Sequence, residues 1–219
     1  MTSSSTAAPA EALSEILPMV ARAARLDPGC PVRVRTDDGM VTVLVRLPFA
    51  VLAGRTVVAR AEPDDATYAA GDLVDWLEGR GGRPRRRDSD WRWAAPPRDG
   101  WRRIETVPAD VVHRLVSVGA RTLADVQAGA GAGAVLRPQA AETLLDTVVI
   151  RAFDLRGRSD PSVDITLRQV SAAVRLGFVP QTTAVGIDTA GRWTRLAGTY
   201  GSVYAERPGA GLLLAARPR

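Results

Sequence analysis

The stretch from Val32 to Val45 constrains the fold more than any other part of the chain. Val32-Arg33-Val34-Arg35 alternates apolar and charged residues, Val41, Val43 and Val45 alternate again, and Asp38-Gly39 stands between the two runs. A period of two places the valines on one face of an extended chain. Asp-Gly supplies the left-handed backbone conformations of a tight reversal. The pattern predicts an antiparallel hairpin with one buried face, so this chain must build a sheet with a core packed against it. Upstream, Leu13, Ile16, Leu17, Val20 and Ala24 recur at helical spacing over Glu11–Arg25. That helix supplies a second layer, with Pro18 expected to kink or restart it.

The remaining elements are read the same way. Pro48–Gly54 has proline at its start and glycine at its end, as one or two helical turns would. Thr56–Ala61 reads as a strand, and Asp64 or Asp65 as the cap of a helix that runs to Glu78 and is closed by Gly79. Gly79 to Gly100 is loop by composition. Beyond it come a helix over Pro108–Val118 ended by Gly119, a short helix from Thr122, a flexible tract over Ala128–Ala134, and a helix over Pro138–Asp146. Thr147–Phe153 and Val163–Thr166 read as paired strands. Leu167–Leu176 reads as a helix terminated by Gly177. Val185–Thr189, Arg192–Leu196 and Thr199–Glu206 form a closing meander, with Leu212–Ala215 a last short strand.

Residues 11–61 and 138–189 share the order helix, strand, strand, helix, strand. The expected class is therefore α+β, with two small units of that order related by an ancient duplication, the C-terminal one closed by an antiparallel meander. The divisions are a disordered N-terminus over 1–10, an N-terminal unit over 11–79, an Arg/Trp-rich linker over 80–103 and a C-terminal unit over 104–219. One mixed sheet with helices on one face is the alternative architecture.

Charge singles out the linker. The 219 residues carry a formal net charge of +5, with neither lysine nor asparagine anywhere in the chain. Residues 80–103 hold nine arginines against Asp88, Asp90 and Asp99, a net +6, so the rest of the chain is close to neutral. Lysine and asparagine have adenine-rich codons, and their absence marks a GC-rich coding sequence. Arginine is then the default cation, and an arginine run is weaker testimony to phosphate binding than elsewhere. Interleaved with Trp91, Trp93 and Trp101, the run still has the makings of a contact surface. Guanidinium groups neutralise phosphates or carboxylates, and indoles stack on bases. The candidate binding residues are Arg83, Arg85, Arg86, Arg87, Trp91, Arg92 and Trp93.

Catalytic chemistry finds little support. His113 is the only histidine and is expected to face solvent, without a second histidine for a zinc site or a paired nucleophile. Cys30, the only cysteine, stands in the rigid turn Pro28-Gly29-Cys30-Pro31. One thiol makes neither an internal disulfide nor a cysteine-based zinc site. The acidic pairs Asp37/Asp38 and Asp64/Asp65 sit where turns and caps want acids. Gly129-Ala-Gly131-Ala-Gly133 follows a helix instead of a strand, and Gly79–Arg87 lacks the Lys-Ser/Thr ending of a phosphate loop. No catalytic, metal or cofactor residue is assigned.

Two further segments bear on nucleic acid. Thr166–Thr183 resembles a helix-turn-helix unit, with Ala173 and Gly177 four apart and Pro180-Gln181-Thr182 opening a second helix. Thr183 and the hairpin-like residues that follow break the pattern. Tyr200-Gly-Ser-Val-Tyr204 echoes the aromatic strand of an RNA-recognition motif but has Ser202 at an aromatic position. It reads better as a packed edge hairpin in which Trp193, Tyr200 and Tyr204 cover the core.

Gly191-Arg-Trp-Thr-Arg-Leu-Ala-Gly198, Thr199 to Pro208, Trp91-Arg-Trp93 and Pro96-Pro-Arg-Asp-Gly-Trp101 resemble conserved hypothetical proteins of actinobacteria. That resemblance implies a GC-rich bacterial source and a cytoplasmic protein, and carries no activity, ligand or site residue. The first reading is a non-enzymatic binding protein whose Arg/Trp segment meets an acidic protein or nucleic acid. Apolar residues at the joint of the two halves would serve a homodimer equally. Direct DNA or RNA binding is the second reading, and an enzyme acting on a small anionic substrate through carboxylates and arginines the third. The N-terminal ten residues have no basic start or apolar run, and no stretch approaches the ~20 apolar residues of a spanning helix. A cytoplasmic location with no membrane partner is expected.

Overall fold

The Asp38-Gly39 reversal folds as its residues require, with φ of 45° and 75°. It joins β1 (Pro31–Asp37) to β2 (Met40–Leu47) in antiparallel register, Val34 opposite Val43, and the alternating valines are buried. This computed structural model describes residues 10–47, 51–129, 138–153 and 162–207. Around the hairpin the chain runs α1 (Ala10–Leu26), β1, β2, β3 (Val51–Val58), β4 (Asp65–Ala69) and α2 (Ala70–Leu77). After a 3-10 turn at Asp88–Asp90 come β5 (Arg102–Pro108), α3 (Ala109–Gly129), α4 (Pro138–Leu145), β6 (Val148–Phe153) and β7 (Ser162–Thr166). The chain closes with α5 (Leu167–Arg175), β8 (Ala184–Ala190), β9 (Trp193–Ala197) and β10 (Ser202–Glu206).

Eight strands form one sheet in the order β4-β1-β2-β3-β10-β9-β8-β5, every neighbouring pair antiparallel, while β6 and β7 pair separately. The order is symmetric about its centre. α1-β1-β2-β3 on one side is matched by α5-β8-β9-β10 on the other, and the two meet where β3 pairs with β10, Ala53 opposite Val203 and Leu52 opposite Tyr204. The protein is thus α+β, two units with antiparallel strands that share a continuous sheet.

The helices take one face of that sheet. Ile16, Met19 and Val20 of α1, Val112 of α3, and Val170 and Ala173 of α5 join Val43, Ala53, Val203, Leu196 and Ile187 in one buried cluster. At about 1.5–3 kcal/mol for each fully buried aliphatic side chain, this cluster is the main stabilising term. Gly119 lies inside α3, where a Cβ would stand 2.6 Å from Leu167 Cδ2, so its lack of a side chain lets α3 approach α5. A helix end, the role its sequence context suggests, is not what it supplies.

Other expectations change in the same manner. Val51–Gly54, read as helical, is the start of β3, because Leu52 and Ala53 are both buried, one on each face of the sheet. The unit order helix-strand-strand-helix-strand therefore holds for 138–189 but gives way in the first unit to a third strand. The helix expected from Asp64 begins only at Ala70, since Asp65–Ala69 pairs with β1 as β4. α1 continues through Pro18. The paired strands β6 and β7, the helix α5 and the closing meander form as expected, whereas Leu212–Ala215, residues 1–9 and most of the Ala128–Ala134 tract lie outside the described residues.

Gly54 marks the seam. A Cβ there would meet Leu44 Cδ2 at 2.8 Å and both Tyr204 Cε2 and the Val43 carbonyl at 3.1 Å. Gly54→Val should destabilise the whole protein by about 1–3 kcal/mol through overpacking. Urea unfolding with an unchanged slope and a lower midpoint would report it.

Candidate binding surface and the cleft beneath the strap

Residues 80–101 cross the sheet face that the helices leave open. Trp91, Ala95 and Trp101 pack onto Leu44, Leu52, Trp193 and Tyr204, a second apolar cluster opposite the first. Three sheet arginines lie over the strap's indoles: Arg33 at 5.8 Å from the Trp91 ring, Arg46 at 5.5 Å from Trp93 and Arg195 at 4.5 Å from Trp101. Each such contact contributes about 0.5–1 kcal/mol at partly exposed sites. At the sheet margin the Arg87 N–H donates to the Thr67 carbonyl (2.7 Å), and the Thr67 N–H donates to Asp88 Oδ1 (2.8 Å). The strap thereby occupies hydrogen-bonding groups on the otherwise open edge of β4, which would template pairing with another strand.

The candidate residues divide into two groups. Trp91 and Trp93 are brought together edge to face, 5.7 Å apart, and Trp91 is half-buried against the sheet. The arginines line the exposed rim. Arg86 donates to Asp88 Oδ2 from Nε (2.9 Å) and Nη2 (2.6 Å). Arg87 pairs with Asp90 at 2.6 Å, and Arg83 donates to the Glu62 carbonyl. Arg85 and Arg92 are exposed. The basic excess is partly answered by the segment's own acids, and most of the indole surface faces inward.

Beneath the strap is a cleft of about 270 Å³ between the Pro96–Trp101 bend and strands β1, β2, β3, β9 and β10. Thr42 and Thr56, with hydroxyls 2.9 Å apart, line it together with Arg35, Arg98, Arg195, Trp101 and Tyr204. Burial raises the Tyr204 phenol above its ordinary range. Asp188, almost wholly buried, accepts from Arg195 at 2.8 Å and from Arg103, which tie β8, β9 and β5 together on this face. The sequence-predicted candidates include none of the cleft residues. Arg33 and Arg35 read in sequence as the solvent face of a hairpin, and nothing local announces that a segment sixty residues later covers them.

The remaining chemistry is committed to structure. His113, expected in solvent, is half-buried with Nε2 at 2.8 Å from the Val179 carbonyl. Cys30 is buried, and desolvation together with Asp27 pushes its thiol up to about 11, which removes thiolate nucleophilicity near neutrality. α5 is followed by a turn and then β8, so the second helix of a helix-turn-helix does not form. Tyr204 and Trp193 are buried in the second cluster, while Tyr200 remains exposed. Among the described residues no group of histidine, cysteine or carboxylate side chains is arranged to hold a metal, and no helix is long and apolar enough to cross a membrane.

Two α+β units sharing an antiparallel sheet make a fold that known structures also show. The fold is similar to a DNA polymerase III subunit beta from Pseudomonas aeruginosa (TM-score 0.56, 15% identity, 91% of this chain and 63% of that one). It is also similar to a DNA polymerase sliding clamp of that organism (TM-score 0.53, 13% identity, 88% and 62%) and to one from Caulobacter crescentus (TM-score 0.51, 11% identity, 90% and 62%). The chain thus spans less than two thirds of the length of these proteins, and the likeness is one of fold. By sequence the chain belongs to the family described as Domain of unknown function (DUF8185), whose model matches residues 96–210. The model described as Domain of unknown function (DUF8010) matches residues 4–95. The two meet inside the strap. No protein with a curated description matches the chain significantly.

The strap's anchor and the buried carboxylate are both open to measurement. The Thr67 N–H and the Arg86 guanidinium hold the Asp88 carboxyl below its ordinary 3.8. A depressed folded-state value means a contribution that is full above about 3.8 and lost as pH falls through the lower folded value. Hydrogen-exchange protection of the Thr67 amide, measured by NMR against the intrinsic rate, should fall over that acid range, and Asp88→Ala should abolish the dependence. Asp188→Asn takes away the buried carboxylate that Arg195 and the half-exposed Arg103 share, and should cost about 1–3 kcal/mol in denaturant unfolding.

Proposed function

We propose that this is a non-enzymatic, DNA-associated binding protein that meets its partner through the arginine rim of the strap. The observation that carries this reading is that Arg83, Arg86 and Arg87 are exposed beside β4, with Arg85 and Arg92 exposed in the same segment, and that the segment is anchored to the sheet. A fixed row of guanidinium groups binds a polyanion with less loss of conformational freedom than a mobile linker would.

The helix layer is less suited to the role. Over their ranges the five helices of the described residues hold seven acidic residues and six arginines, a net charge of −1. A phosphate backbone is drawn to the strap side instead. The likeness to proteins named DNA polymerase sliding clamps supports DNA over RNA or an acidic protein as the partner. A cytoplasmic location accords with that partner. The apolar residues at the joint of the halves are buried within one chain, which favours this reading over a dimer formed through them.

Binding to mixed-sequence duplex DNA should weaken linearly on a logarithmic salt scale. Changing Arg85 and Arg92 to Ser should make the slope shallower by about 0.9 for each phosphate no longer neutralised, without lowering the melting temperature. Absence of binding at low salt would remove DNA and leave an acidic protein as the partner to seek, and a slope untouched by the double change would remove the rim as the contact surface.

A further inference from the structure

We infer that the cleft bounded by Arg35, Arg98 and Trp101 binds the oxyanion head, carboxylate or phosphate, of a small ligand whose remaining body is neutral or cationic. The starting point is how the charges around it are paired. Asp65 is taken by Arg33 in a two-point contact with both bonds at 2.7 Å. Asp37 is taken by Arg98 at 2.6 Å, and Asp188 by Arg195 and Arg103. Arg35 stands among these pairs without a carboxylate of its own. Among the described residues its one hydrogen bond runs to the Pro96 carbonyl at 3.3 Å. A guanidinium has five N–H donors, so most of those on Arg35 are unused toward protein.

The site is shaped as well as charged. Arg35 is half-buried, and Pro96 and Trp101 of the strap form the wall facing the Thr42 and Thr56 hydroxyls. The two hydroxyls bond to each other, which leaves one further O–H to donate. Burial, followed by the Arg98 and Arg33 charges, lowers the affinity of Arg35 for its proton, against a smaller opposing pull from Asp65 and Asp37. The guanidinium is thus held in surroundings that an incoming anion would improve. A bidentate oxyanion beside Arg35, with Arg98 in reach of the same cleft, would accept from donors that the protein does not engage and would offset the repulsion between the cations.

The acids decide what kind of anion fits. Asp37, Asp38 and Asp99 also line the cleft; Asp37 is held by Arg98, whereas Asp38 and Asp99 are exposed and have no ion pair among the described residues. They repel an extended polyanion and favour a single anionic group whose body is neutral or positive. A volume near 270 Å³ suits a small molecule. The site is therefore separate from the arginine rim, and neither reading depends on the other.

The test is titration of the full-length protein with sodium phosphate and, separately, sodium acetate, at ionic strength held constant with chloride. The Trp101 indole N–H, which donates to the Pro97 carbonyl at 3.0 Å beside the cleft, is the NMR reporter. A saturable shift is expected with at least one anion, and the stronger of the two identifies the head group. Arg35→Gln should weaken it roughly tenfold or more, as expected when charge-assisted bonds are removed, while Arg35→Lys keeps part of it. Without anions Arg35→Gln should melt no lower than the parent, because it removes an underpaired half-buried cation; with phosphate only the parent should gain stability. DNA binding should be unchanged in Arg35→Gln. No saturable shift with either anion, equal affinity in Arg35→Gln, or a lower melting temperature in that variant without anions would overturn the assignment and make Arg35 a structural residue.

Discussion

The antiparallel pairing of β3 with β10 is the contact on which the rest of the molecule depends. It fuses two α-β-β-β units into one sheet, and it places Gly54 where Tyr204 and Leu44 close over the backbone. Because the pair is central, both faces of the sheet are built across it. Ala53 and Val203 lie in the helix-side core, and Leu52 and Tyr204 in the cluster beneath the strap. Long-range pairing of this kind brings residues some 150 apart in sequence into register. Its closure entropy is recovered only when both clusters form, so the halves should fold as one cooperative body.

Arginine does three jobs that other chains divide among several residue types. Arg33, Arg46 and Arg195 lie over the strap's indoles, Arg103 and Arg195 hold Asp188, and Arg86 and Arg87 pair with acids next to them. A guanidinium suits all three, since its planar face accepts an aromatic ring while its edge donates to carboxylates. What reads in sequence as a reservoir of free positive charge is in good part an internal fastening. Of the strap's exposed arginines Arg85 and Arg92 lie outside these pairs, as does Arg35 on the sheet.

That division leaves two features on the strap side of the sheet. The rim is exposed, and its ion pairs are worth little individually. The cleft is partly enclosed and carries acids as well as cations. The side chains best suited by type to nucleophilic or acid–base chemistry, Cys30, His113 and Asp188, are buried, bonded or clamped.

Local patterns are decisive where burial follows a short period. The β1–β2 reversal, α5, the β6–β7 pair and the closing meander are each encoded within a few residues, by alternation, helical spacing or a glycine past the last turn. Val51–Gly54 and Asp65–Ala69 read as helical because a strand buried on both faces, or paired with a neighbour thirty residues away, lacks a local signature that separates it from a helix. The Arg/Trp segment is visible in sequence as a candidate surface, but its path is not. Whether an indole stacks on a base or on Leu44 and Arg33 depends on what lies beneath it. By itself the sequence determined the class of fold, the arginine-only basicity and the single histidine and cysteine, because these are properties of composition and short-range periodicity. Only the tertiary structure decided which arginines are paired and that a cleft exists, because ion pairing and enclosure arise from segments that meet solely through the fold.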